Sequence, residues 1–170
     1  LEFEIPSRGL IGLRTQVLNA TQGEAIMTHR FKAYAPFKGT IAGRINGSLI
    51  SMETGPTTAY TLDKLQDRGR FFVDPGEEVY VGQIIAEHIK PGDLIVNATE
   101  PKKLTNHRAS GSDDASRIAP KTLMTLEECM EYIQQDECIE VTPKNIRMRK
   151  VILNEDDRKK VSKSMQTEMA

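Results

Sequence analysis

The sequence predicts an α+β protein: half of a split βαβ unit, then a β-rich, barrel-like domain with a few short helices. Three observations predict it. Strand, helix and strand patterns follow one another within the first 35 residues. Short apolar runs punctuated by Gly, Pro and Asn recur between residues 40 and 97, the spacing of a small barrel or sandwich. The composition is globular but aliphatic, with 38% hydrophobic, 28% charged and 5% aromatic residues and no Trp. A packed core is therefore available and wholesale disorder is excluded.

Leu1-Glu2-Phe3-Glu4-Ile5 alternates like a half-buried strand, and a chain that opens inside a strand reads as cut from something longer. Pro6 stops that strand and Ser7 stands where a helix cap would. Leu10, Leu13, Val17 and Leu18 form one apolar helical stripe, with Gly23 beyond it as a stop. Residues 25–34 read as a strand closed by Pro36. Residues 40–53 read as a hairpin around Asn46-Gly47, the dipeptide suited to a type I′ turn. Ala59, Leu62 and Leu65 mark a helix over 57–68, stopped by Gly69. Short strands over 70–97 are broken at Asp74-Pro75-Gly76, Val81-Gly82 and Lys90-Pro91-Gly92.

Residues 98–121 lack apolar periodicity and are rich in Ser, Thr, Asn, Asp, Gly and Pro. A loop this long in a compact domain is functional or disordered, and residues 98–118 are expected to be mobile until bound to RNA. Beyond it, Thr125 and Glu128 match a capping box, with Leu126, Cys129, Met130 and Ile133 on one helical face. Residues 138–141 and 145–153 read as strands around Pro143. Asn154 is placed to cap a last short helix, which is expected to fray from Ser162.

Charge narrows the function classes. The chain carries 23 Lys and Arg against 24 Asp and Glu, which excludes a uniformly basic nucleic-acid coat but allows local patches. Residues 99–121 hold 5 basic and 3 acidic side chains, residues 122–143 hold 0 and 6, and residues 144–170 hold 8 and 4. No apolar run reaches the roughly 18 residues of a membrane span and no signal segment opens the chain. A soluble, cytoplasmic protein without a membrane partner is expected. Cys129 and Cys138 form no C-x-x-C pair, against a disulfide scaffold or zinc ribbon.

No phosphate loop, G-x-S-x-G elbow or dinucleotide fingerprint occurs. His29, His88 and His107 are dispersed, so no catalytic residue, metal ligand or cofactor is assigned. The turn around Pro75 has the shape of a biotinyl or lipoyl carrier hairpin, but Lys90 is followed by Pro91 and has no Met beside it. A carrier-like or metal-binding module is thus the alternative reading, and protein docking through Glu127, Glu128 and Glu131 a third. Two basic features are stronger. Residues 102–111 hold Lys102, Lys103 and Arg108 with no acid, and Thr105, Asn106 and Ser110 add neutral donors for phosphate and 2′-hydroxyl oxygens. In the strand 145–150, Arg147 and Arg149 alternate with Ile146 and Met148, which sets both arginines on one face and the apolar pair toward the core.

Several blocks closely resemble the TypA/BipA translational GTPases. They are Ile5-Pro6-Ser7-Arg8-Gly9-Leu10-Ile11-Gly12-Leu13-Arg14, Asn46-Gly47-Ser48-Leu49-Ile50-Ser51-Met52-Glu53-Thr54-Gly55, Leu65-Gln66-Asp67-Arg68-Gly69-Arg70, Pro75-Gly76-Glu77-Glu78-Val79-Tyr80, Lys102-Lys103-Leu104-Thr105-Asn106 with Arg108-Ala109-Ser110-Gly111, and Val141-Thr142-Pro143-Lys144. The resemblance implies a C-terminal fragment. Residues 1–35 would be the second half of a ferredoxin-like domain shared with elongation factor G, and residues 36–170 a family-specific domain with its long basic loop at 98–121. It implies a parent that uses GTP and Mg²⁺ through a domain absent here, and acts in stress adaptation and large-subunit assembly. The expected partner is the ribosome, at its large-subunit RNA and the tRNA acceptor end, and not DNA. Lys102, Lys103, Asn106 and Arg108 are the RNA contacts the resemblance implies; Arg147 and Arg149 join them from strand alternation alone.

Overall fold

A computed structural model describes residues 1–39, 44–101 and 118–168. The chain divides into two compact units, Leu1–Gly43 and Arg44–Ala170.

In the first unit a 3-10 turn at Ser7–Leu10 precedes helix α1, Leu13–Ala20. The cap positions are Pro6 and Gly12, not Ser7. Gly23 lies just past the helix end, its N–H donating to the Leu18 carbonyl at 2.7 Å, but the residue after the cap that turns left-handed is Gln22, at φ 55°. The strands expected at 1–5 and 25–34 are not formed: neither segment has a ladder. A strand needs a hydrogen-bonding neighbour, and the described residues of this unit supply none. Exposed ion pairs, Glu2 with Arg30 at 3.6 Å and Glu4 with Lys32, join the two segments instead.

The second unit is built on a six-stranded sheet. Strand β1, Asn46–Ser51, is followed by β2, Gly55–Pro56, and by helix α2, Ala59–Leu65. Thr58 caps α2 by accepting from the Thr61 N–H. Then come β3, Gly69–Phe71, β4, Glu78–Val79, β5, Gln83–Pro91, and β6, Leu94–Val96. Helix α3, Leu126–Tyr132, leads into the hairpin of β7, Glu137–Val141, and β8, Ile146–Lys150. Helix α4, Glu155–Glu168, closes the chain. The strand order is β6-β1-β5-β8-β7, with β3 also on β5, while β2 and β4 form a separate ribbon.

Two expectations fail here. The sheet is open, not a closed barrel: β6 lies parallel to β1 at one end, β7 stands at the other, and β8 joins β5 only at Gln83 and Ile84. Asn46-Gly47 is not a hairpin turn but the start of β1, whose antiparallel partner is β5.

Both faces of the sheet are covered, which explains the continuous burial of residues 83–86. Ile85 joins Leu49, Leu62, Phe71, Val79 and Ala86 in one core, beneath α2. Its neighbour Ile84 points the other way, into a second core with Cys129 of α3 and Met148 of β8. The helical face expected on α3 holds in part: Cys129 is buried and Ile133 packs beside it, but Leu126 and Met130 are exposed and Tyr132 packs instead. Asn154 does cap α4, its Oδ1 accepting from the Asp156 N–H at 2.8 Å, but the helix continues through Glu168 without a break at Ser162.

The capping box on α3 is complete. The Glu128 N–H donates to Thr125 Oγ1 at 3.3 Å, and the Thr125 N–H to Glu128 Oε2 at 2.8 Å. Thr125→Ala should therefore cost about 1 kcal/mol in urea unfolding and Thr125→Ser only a fraction of that. Equal losses in the two variants would show that packing of Cys129, not the cap, holds α3.

Candidate functional site

Lys102, Lys103, Asn106 and Arg108 lie outside the described residues, and so does the expected behaviour of the segment that carries them. Its flanks are described, and both are pinned to one place. On the incoming side Ala98 is buried, and its carbonyl accepts from the Thr58 N–H at 3.0 Å and from Thr61 Oγ1 at 2.7 Å. Thr58 Oγ1 then donates to the Glu100 carbonyl at 2.8 Å. On the outgoing side Ile118 packs on the first core, and Lys121 Nζ reaches Asp74 at 2.8 Å and Glu77 at 3.1 Å. Asp74 and Glu77 are in turn tied to Thr57, whose Oγ1 donates to the Asp74 carbonyl at 2.6 Å and whose N–H donates to the Glu77 carbonyl at 2.9 Å. Consecutive threonines thus hold the two ends of the basic segment against α2. The hydrogen bond to Asp74 raises the Lys121 pKa against the opposing effect of burial, with Glu77 adding to the rise.

Arg147 and Arg149 share one face of β8, as alternation predicts, both half-buried. Across β7 they face Glu140 and Cys138, and across β5 Arg149 faces Gln83. Arg149 donates to the Lys150 carbonyl at 3.1 Å. Arg147 Nε is buried and has no acceptor among the described residues. Neither arginine forms an ion pair among the described residues, although Glu140 is directly opposite Arg147. Its carboxylate instead accepts from the Tyr80 hydroxyl at 2.6 Å. Burial, then Glu140, pushes the Tyr80 pKa well up, against a pull downward from Arg149 and Arg147. The apolar side of this strand differs from the expectation: Met148 is buried, but Ile146 is 41% exposed, and Lys150 takes the core position instead.

Lys150 is 1% exposed and belongs to a buried ion cluster that sequence reasoning missed. Its Nζ contacts Asp93 at 2.5 Å, Asp136 at 2.8 Å and Glu137 at 3.0 Å. Glu137, fully buried, also accepts from Arg44 at 2.9 and 3.3 Å and from the Gln134 N–H at 2.9 Å. Arg44 lies 4.0 Å over the Tyr132 ring. Burial alone would lower the Lys150 pKa, but hydrogen bonds to Asp136, Asp93 and Glu137 raise it overall. One signal was available: alternation puts Lys150 on the side of Met148, where a charge must have partners.

The other candidates are not brought together. Lys90 is exposed at the end of β5, remote in kind from a carrier turn because Pro91 pairs with Asn46 in the ladder. Cys129 is buried, Cys138 half-buried, and among the described residues no three His, Cys, Asp or Glu side chains gather to hold a metal. Of the acidic trio on α3, Glu128 is used in the capping box and Glu127 and Glu131 are exposed. Among the described residues no helix is long and apolar enough to cross a membrane.

Comparison with known proteins gives two adjoining matches. Residues 46–155 match the TypA/BipA C-terminal domain, and residues 1–45 the elongation factor G C-terminus. The chain is 45% identical over 168 residues to the Bacillus subtilis protein named large ribosomal subunit assembly factor BipA, covering 98% of this chain and 28% of that protein. Proteins of the same name from Escherichia coli K12, 46% identical over 96% of the chain, and Synechocystis, 44% identical over 89%, are similar to it as well. The chain spans 28% or less of the length of each of these relatives.

Proposed function

From the premise that this chain belongs to the TypA/BipA C-terminal domain family, we propose that it is the ribosome-binding C-terminal region of a bacterial, cytoplasmic translational GTPase that acts in stress adaptation and large-subunit assembly. The observation that carries the reading is identity of 45% over 98% of the chain to a protein named as a large-subunit assembly factor. Residues 1–35 are the second half of a ferredoxin-like domain, as the match to the elongation factor G C-terminus supports. Residues 36–170 are the family-specific domain. Its basic segment, through Lys102, Lys103, Asn106 and Arg108, contacts large-subunit RNA near the tRNA acceptor end, and Arg147 and Arg149 add phosphate contacts. The threonine anchors at 57 and 58 hold the base of that segment on the rigid core, so that little ordering of its flanks is left for binding.

The described residues offer no site that fits GTP or Mg²⁺. The sequence has no phosphate loop, and no carboxylate group suited to a metal gathers among the described residues. Nucleotide chemistry is assigned to the rest of the parent protein, and this chain has no catalysis of its own.

Co-sedimentation with ribosomes, for this chain and for the full-length protein, tests the reading. In the full-length protein the Lys102→Ala, Lys103→Ala, Arg108→Ala variant should bind more weakly, and the slope of log affinity against log salt should flatten by roughly 0.7 for each phosphate that is no longer neutralised. Its stability should change by no more than about 0.5 kcal/mol per site. An unchanged affinity and slope would return the segment to a solvated basic surface.

A further inference from the structure

We propose that Arg147 and Arg149 form an anion site for a phosphodiester of the RNA backbone, and that Tyr80 keeps this site open by holding Glu140 away from Arg147. The site rests on the ribosome-binding reading above for the identity of its ligand, but not for its geometry.

Residues two apart on a strand point to the same side, about 7 Å apart. The two arginines therefore leave the strand on one face, and the neighbours of Arg149 across both ladders, Cys138 and Gln83, carry no charge. Glu140 is the one acid in register with the pair, directly opposite Arg147. Opposite charges in that position ordinarily join. Here the carboxylate turns to the Tyr80 hydroxyl at 2.6 Å, and no ion pair with Arg147 forms. Arg147 is left with a buried Nε that has no acceptor among the described residues. Two like charges without a counter-ion among the described residues, both on half-buried side chains, are set for an external anion at the parts of the guanidinium groups beyond the buried Arg147 Nε.

The donor geometry suits a two-oxygen anion, and the ribosome-binding reading makes that anion a phosphodiester. A guanidinium offers a planar fork that fits two oxygens of one phosphate, and two forks can bracket a single phosphodiester. Tyr80 touches no ligand in this scheme. It is a positioning residue, and its hydroxyl acts only through Glu140.

The direct experiment labels this chain with ¹⁵N and follows the arginine Nε–H resonances during titration with inorganic phosphate and with a short single-stranded RNA. The signals of Arg147 and Arg149 should move and saturate, with RNA the tighter ligand. Tyr80→Phe, which removes one oxygen, should free Glu140 to pair with Arg147 and weaken RNA binding about fivefold, the ratio a cross-strand ion pair can supply. Glu140→Gln should strengthen binding, and adding it to Tyr80→Phe should restore the affinity that the first change removed. A merely structural tyrosine would show no such rescue. Unmoved arginine signals, phosphate binding without tighter RNA binding, or a Tyr80→Phe loss that Glu140→Gln fails to restore would each overturn the proposal. Ribosome co-sedimentation separates it from the broader reading. If the chain sediments with ribosomes but RNA leaves Arg147 and Arg149 unmoved, this site falls and the ribosome reading stands. If RNA moves them while neither this chain nor the full-length protein sediments, the reverse holds.

Discussion

Glu137→Ala should destabilise the second unit by about 3–5 kcal/mol, the cost of breaking a buried ion pair from one side. The magnitude follows from what the carboxylate serves. It is fully buried and accepts from Arg44, Lys150, Ser48 and the Gln134 N–H. Removing it leaves Arg44, 8% exposed, without a carboxylate, and takes from Lys150, 1% exposed, one of its three. A loss of this size is a large part of a stability of about 5–15 kcal/mol. Glu137→Gln should cost less, because an acceptor oxygen survives. Lys150→Met should cost least: Glu137 keeps Arg44, and a chain of similar length leaves no cavity. The alkaline limb adds a second reading. Because folding raises the Lys150 pKa, its contribution is full below an unfolded value of about 10.4 and is lost as pH rises through the folded value. Lys150→Met should flatten that limb. Urea midpoints at neutral and alkaline pH check the order, and a Glu137→Ala loss below about 1 kcal/mol would contradict it.

How much of this was legible in sequence follows the range of each signal. The capping box at Thr125, the helix around Leu62 and the glycines of the 74–76, 81–82 and 90–92 turns depend on residues within a few positions, and all form. Gly76, Gly82 and Gly92 adopt φ of 82°, 83° and 86°. The partner of β1 was not legible. Asn46-Gly47 suits a tight hairpin, but Leu49 instead meets Ala86 on one side and Leu94 on the other. Nothing local distinguishes a strand that turns back from one that waits for a partner far along the chain. The strand expectations for the first unit failed for a related reason, since alternation marks a face without supplying a neighbour.

The site divides in the same way. Alternation on β8 set Arg147 and Arg149 side by side, because strand period is a backbone property. That Glu140 bonds to Tyr80 and leaves Arg147 without an ion pair among the described residues involves a residue distant in sequence, and no pattern within β8 could show it. The buried cluster was half legible: the period puts Lys150 inward, while its partners Asp93, Asp136 and Glu137 come from two other parts of the chain. For the basic segment the sequence showed the charges and the structure shows the anchors, Thr57, Thr58, Thr61 and Lys121, ordinary residues whose role is visible only in their bonds.

Gly47→Ala should cost about 3 kcal/mol, the upper end of overpacking, although Gly47 is not among the glycines at positive φ. A Cβ there would sit 1.8 Å from the Gly92 carbonyl oxygen, 2.1 Å from its carbon and 2.7 Å from the Asp93 nitrogen. All three are backbone atoms, so no side chain can swing aside. The turn between β5 and β6 would have to lift off β1, and with it Asp93, which accepts from the Ser48 N–H at 2.8 Å and contacts Lys150 at 2.5 Å. The disturbance therefore reaches β8, and through it the face that carries Arg147 and Arg149. Gly76→Ala is the control. Gly76 has φ 82° but nothing within 4 Å of a new Cβ, so only backbone strain of about 1–2 kcal/mol applies. The ranking inverts what conformational preference alone would give. Urea unfolding of the two variants decides between close backbone approach and dihedral strain as the reason for glycine at these positions: if Gly76→Ala proves the more costly, β1 and the β5–β6 turn are not tightly apposed, and the link from that turn through Asp93 to β8 fails with it.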